Sequence, residues 1–131
     1  MKKLISSFIV FFLMALTTSA QAGITDSQIC KAGIGADMGR SPSTMLTERV
    51  VRNDYFISYR RPDDNSWWGY KCKVKGGQVI WASWNDDDSV GRWRDTQWDR
   101  AIYYVINEQK INIRLNGTSE IMTYDANNIP Q

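Results

Sequence analysis

From Leu46 onward, short alternating segments are separated by links too brief to carry a crossover. Strand-like stretches run over Leu46–Arg52, Tyr55–Arg60, Trp67–Lys75, Gln78–Trp84, Ala101–Ile106, Lys110–Leu115 and Ser119–Tyr124. Between them lie Asn53-Asp54, Arg61-Pro62-Asp63-Asp64, Gly76-Gly77, an acidic loop, Asn107-Glu108 and Asn116-Gly117. A parallel pair needs a connection of a dozen residues or more, so strands joined this closely pair antiparallel. The expected architecture is α+β but mainly β: an N-terminal helix and an antiparallel meander of six or seven strands, barrel-like or sandwich-like.

One hairpin is legible residue by residue. A two-residue Gly76-Gly77 loop sets Lys75 opposite Gln78. Val74 then faces Val79, Cys72 faces Trp81, and Tyr70 faces Ser83, all on one side of the sheet with Trp68 beyond them. Trp68 and Trp81 are therefore expected in the buried layer. Lys71, Lys73 and Lys75 fall on the other side as a solvated ladder.

The one convincing helical segment begins at Thr25, where Thr25 as N-cap and Gln28 three residues on form a capping box, and it stops at Gly39. Ile29, Cys30, Gly33, Ile34 and Met38 make a stripe at helical spacing, with Lys31 and Asp37 off it. Gly33 and Gly35 weaken this helix by about 1 kcal/mol each relative to Ala. It needs docking to persist, and Cys30 lies on the docking face. Cys30 and Cys72 are the only two cysteines. A bond between them would pin the helix to the aromatic side of the hairpin.

The final hairpin is expected to turn through Asn116-Gly117-Thr118, pairing Ile113 with Ile121 and Arg114 with Glu120, because a two-residue loop would bury Glu120. The same three residues match a glycosylation sequon, which the hairpin loop explains without a glycan. Ile129-Pro130-Gln131 reads as a loose tail.

Residues 1–22 have the form of a secretory signal peptide: Lys2 and Lys3, an apolar run from Leu4 to Leu16, and Ala20-Gln21-Ala22 before a cut at Gly23. The apolar run is shorter than the roughly 20 residues that span a bilayer. A single domain over 23–131 remains, periplasmic or secreted, in a compartment where a Cys30–Cys72 disulfide persists. Loss of Lys2 and Lys3 leaves 14 basic against 14 acidic side chains. Neutrality gives no basis for nucleic acid or an anionic membrane as partner.

The chain contains no His. Serine or cysteine nucleophiles activated by His are thereby excluded, and a zinc site would lack its usual nitrogen ligand. Asp86 and Asp88 begin a calcium-loop spacing, but Val90 and Gln97 occupy later ligand positions, so the acidic run reads as a solvated turn. No cofactor motif is present, and a non-enzymatic protein is expected. All six Trp lie between Trp67 and Trp98. Trp84, Trp93 and Trp98, with Arg92 and Arg94, are the candidate binding residues, since tryptophan and arginine dominate protein interfaces. Nearby acids offer Arg60-Arg61 and Arg92-x-Arg94 internal ion pairs. The expected function is protein binding in the cell envelope, of inhibitor or immunity type. The alternatives are glycan binding through the same Trp and a structural envelope protein without a ligand site.

Overall fold

The computed structural model describes residues 23–131, and the leader expected over 1–22 lies outside the described residues. Helix α1 (Asp26–Met38) is followed by β1 (Leu46–Val51), β2 (Asp54–Arg60), β3 (Trp67–Lys75), β4 (Gln78–Trp84), β5 (Ile102–Asn107), β6 (Lys110–Leu115) and β7 (Met122–Asp125). The strands form one antiparallel sheet in chain order, with β1 and β7 as its edges. The sheet curls into a half-barrel with α1 packed against β2 through β6. The fold is thus α+β and mainly β.

Both signals at the start of α1 operate. Gln28 N–H donates to Thr25 Oγ1 at 3.2 Å, and Thr25 N–H donates to Gln28 Oε1 at 2.9 Å. The helix ends at Gly39, whose φ of 66° suits a residue without a Cβ. Cys30 and Cys72 are disulfide-bonded with their Cα atoms 6.1 Å apart. Gly33 is required by close approach: a Cβ there would lie 2.8 Å from the Val79 side chain on β4. The glycine that weakens the helix locally is what lets it seat.

The one-sided docking stripe needs correction. Every residue from Ser27 to Ala36 is buried, including Lys31, expected to lie off the docking face. The sheet's curvature is the cause, because strands that wrap around a helix cover more than one of its faces. Lys31 Nζ donates to Pro130 O at 2.7 Å, and burial pushes the Lys31 pKa down to about 8. Gln28 Nε2 donates to the Ala126 and Ile129 carbonyls at 3.0 and 2.9 Å. Ile129 is buried, so the loose tail is also corrected: the last residues are fastened to α1.

The Gly76-Gly77 hairpin has the expected register, with Lys75 opposite Gln78, Val74 opposite Val79, Cys72 opposite Trp81 and Tyr70 opposite Ser83. Two consequences drawn from it fail. Trp68 borders an opening it shares with Met38, the last residue of α1, and is 44% exposed. Lys71 and Lys73 are half-buried beneath Trp93 rather than freely solvated.

The last hairpin is shifted from the expected register. Ile113 pairs with Met122 and Lys110 with Asp125, so β7 begins at Met122 and Ile121 is exposed. Thr118 closes the turn by donating its N–H and hydroxyl to Leu115 O at 3.1 and 2.9 Å. Gly117, at φ 87°, supplies the left-handed step.

Two irregularities shape one end of the half-barrel. A bulge between Thr47 and Arg49 leaves Glu48 unpaired on β1. Strands β4 and β5 pair only at Gln78–Tyr103 and Val79–Ile102. Beyond that point the segment 85–101 takes the place of a strand: Gly91 N–H donates to Ser83 O at 2.9 Å, and Arg94 N–H to Trp81 O at 2.8 Å.

Candidate binding site

The connection from Trp84 to Ile102 spans 85–101 and is longer than ordinary hairpin loops. A segment of this length without regular structure is ordered only if its polar groups find partners. Its first part does so as a turn: Asp88 N–H donates to Asn85 O at 3.0 Å, and Asn85 N–H to Ser89 O at 2.9 Å. Asp87 accepts from the Ser89 hydroxyl and N–H, while Asp88 accepts from Arg49 Nη2 and Trp84 Nε1, each of the latter two at 2.8 Å. Those hydrogen bonds hold both carboxyls below the usual carboxylate range.

The second part is organised around Asp99. Arg92 forks onto its carboxylate with Nη1 and Nη2 at 2.8 and 2.9 Å. Thr96 adds its N–H at 3.1 Å and its hydroxyl at 2.8 Å. Arg94 approaches to 4.0 Å. The Arg92 and Thr96 hydrogen bonds place the Asp99 pKa far below its ordinary value. The carboxylate therefore stays charged and keeps the loop closed at any pH near neutral.

The ends of the loop are fastened separately. Arg100 Nε donates to Asp37 Oδ1 at 3.1 Å, tying the loop to the last turn of α1, where Trp81 Nε1 also donates to Asp37 at 3.3 Å. Trp93 lies on the convex face of the sheet, with Lys73 Nζ 4.2 Å and Lys71 Nζ 5.2 Å from its ring centroid. Between these anchors Trp98 projects outward and is 86% exposed. Its backbone N–H is held by Thr96 Oγ1 at 3.3 Å, so the backbone is fixed while the side chain is bare.

The five residues singled out from sequence do not form one cluster. Arg92 and Trp98 belong to the Asp99-braced loop, and Trp93 caps the lysine pair. Trp84 packs edge-on against Phe56 and Trp67, each at 5.1 Å between centroids. Arg94 lies over the Trp81 ring at 5.3 Å. The ion pairing expected for Arg92-x-Arg94 is present. Among the described residues, Arg60 and Arg61 have no such pair: Arg60 donates to Asn65 O, and Arg61 lies over Trp68 at 5.5 Å with a buried, unpartnered Nε.

Sequence reasoning missed Asp99. The signal was there, because Thr96-Gln97-Trp98-Asp99 has the Thr-x-x-acid spacing of a capping box, here closing a loop instead of starting a helix. Among the described residues no cluster of three or more acidic or cysteine side chains is placed to hold a metal ion, and no helix is long and apolar enough to cross a membrane. Comparison with family models, curated proteins and solved structures finds no match to the chain.

Proposed function

We propose that the protein is an exported, non-enzymatic binding module that engages another envelope or secreted protein through the 85–101 loop, with Trp98 as its anchor. The observation that carries this reading is an 86% exposed tryptophan on a loop braced by one carboxylate. Exposing an indole to water is unfavourable, and a tryptophan buried in a partner's pocket is among the most frequent interface hot spots. Fixing the loop beforehand lowers the ordering cost of association. A rigid arm that presents one aromatic side chain fits an inhibitor of an envelope enzyme or an immunity protein for a toxin. The Cys30–Cys72 bond agrees with service in an oxidising compartment.

The test is affinity capture from the envelope fraction with tagged wild type and Trp98→Ala, followed by calorimetry on the recovered protein. The reading expects a stoichiometric partner retained by wild type and bound at least tenfold more weakly by Trp98→Ala. A partner bound equally by both would remove the loop from the interface. Recovery of no partner would remove the reading.

A further inference from the structure

A second site lies at the same end of the half-barrel, where strand residues Trp67, Trp68, Trp81 and Trp84 meet Asn85, Asp86 and Arg94 from the loop, without Trp98 or Asp99. Trp67 and Trp84 pack against each other on the convex face, and the Trp67 ring lies over Gly69, where any Cβ would collide with it. Beside this pair is a groove of about 460 Å³ bordered by Trp67, Trp68, Trp81, Trp84, Asp86 and Arg94. A second opening of about 490 Å³ shares Trp67, Trp84 and Asp86 with the first and continues toward Glu48 and Arg60. Each lies within the roughly 300–1,000 Å³ range of small-ligand sites. The two openings adjoin along Trp67, Trp84, Asn85 and Asp86, and together are called the trough.

The charges along the trough decide what suits it. Three of its four tryptophans already carry a guanidinium: Arg94 over Trp81 at 5.3 Å, Arg61 over Trp68 at 5.5 Å and Arg49 over Trp84 at 5.6 Å. An incoming cation would meet like charge from those three arginines. An incoming anion would meet Asp86, Glu48 and Asp88. Among the described residues, Asp86 and Glu48 have no hydrogen-bond or ion-pair partner, and the Asn85 amide uses its NH₂ on Ser89, leaving its oxygen unengaged. Aromatic walls, unengaged acceptors and alternating charge suit a neutral ligand with an apolar face and many hydroxyls.

We propose that this trough binds a neutral oligosaccharide of at least two pyranose rings. Ring C–H faces stack on the Trp67–Trp84 pair and Trp68, while the Asp86 and Glu48 carboxylates and the Asn85 oxygen accept from sugar hydroxyls. This site uses neither Trp98 nor Asp99, and it stands or falls independently of the protein partner.

The experiment is a glycan array of neutral, anionic and cationic oligosaccharides probed with the folded, disulfide-bonded protein, with calorimetry on each ligand retained. Asp86→Ala and Trp68→Ala are the variants, because both side chains are exposed and neither belongs to the core. Retention confined to neutral glycans of two or more rings, weakened tenfold or more by each variant, is the expected result. Binding of charged glycans as strong as neutral ones, affinity unchanged in both variants, or no saturable binding across the array would each overturn the proposal.

Discussion

Cys72 on β3 faces Trp81 on β4 across the sheet and is bonded to Cys30 on α1, so one residue joins the hairpin register to the position of the helix. The two cysteines are 42 residues apart in sequence. In the chain-entropy view, closing a loop of that length stabilises the fold by about 4 kcal/mol. Cys30→Ser/Cys72→Ser should therefore lower the melting temperature on the order of 15 °C for a domain of this size. Calorimetry of the oxidised protein and the double variant measures it, and equal melting temperatures would mean that α1 seats without the bond.

Lys31 gives the protein an alkaline stability signature. Its pKa is 10.5 when solvated and about 8 in the fold. Between those values the unfolded chain binds more protons than the native one, so stability rises with pH. The expected gain is about 2 kcal/mol between pH 7 and 9.5, since each pH unit spent inside that window adds roughly 1.4 kcal/mol. With no His in the chain, no imidazole overlaps this window. Above about pH 10 the sign reverses, because burial raises the Tyr70 and Tyr124 pKa values and the fold holds their protons longer than the unfolded chain does. Urea titrations across pH 7–9.5 should show the rise in wild type and a flat profile in Lys31→Met.

Asp99 controls the loop more than the domain. Asp99→Ala removes the acceptor for Arg92 and Thr96 while leaving α1 and the sheet untouched. Protease cleavage within 85–101 should accelerate at least tenfold, with a melting temperature within a few degrees of wild type. Because the folded pKa is depressed, the loop's closure is complete above the ordinary carboxylate range and is lost only as pH falls through the low folded value. Protection of the Thr96 amide, corrected for intrinsic exchange, should therefore persist from pH 7 to pH 3, and its loss by pH 3 would contradict the bracing by Asp99.

Gly69→Ala tests whether Trp67 is packed as described. The added methyl would strike the Trp67 ring and the Trp84 carbonyl. A destabilisation of about 1–3 kcal/mol is expected from overpacking. A shift in tryptophan emission should accompany it as Trp67 moves. A neutral substitution would show that the ring yields freely.

What could be read from sequence was what depends on neighbours in the chain. Gly76-Gly77 fixed the β3–β4 register, and Thr25 and Gln28 fixed the start of α1, because both are decided within a few residues. The disulfide was legible because the helical stripe and the strand alternation assigned Cys30 and Cys72 to facing surfaces. Curvature was not legible. Nothing local says that seven strands will curl around α1, or that residues 126–130 beyond β7 will lie along it and take hydrogen bonds from the buried Gln28 and Lys31. Trp68, bordering an opening with Met38 at the end of α1, stays outside the buried layer, although its alternation is correct. The candidate site divided for a similar reason: Arg92, Trp93, Arg94 and Trp98 are close in sequence, but a loop that returns along β4 sends neighbouring side chains to opposite surfaces.

Central to the proposed function is contact between Trp98, on its braced loop, and a protein partner in the cell. The most direct measurement keeps Trp98 and replaces its exposed neighbour Gln97 with a photoreactive phenylalanine analogue, irradiates living cells and resolves adducts by mass. Val105, exposed on β5, is the comparison position. One discrete heavier species from position 97 and none from position 105 is the expected result. No adduct at 97, or the same diffuse adducts at both positions, would contradict it.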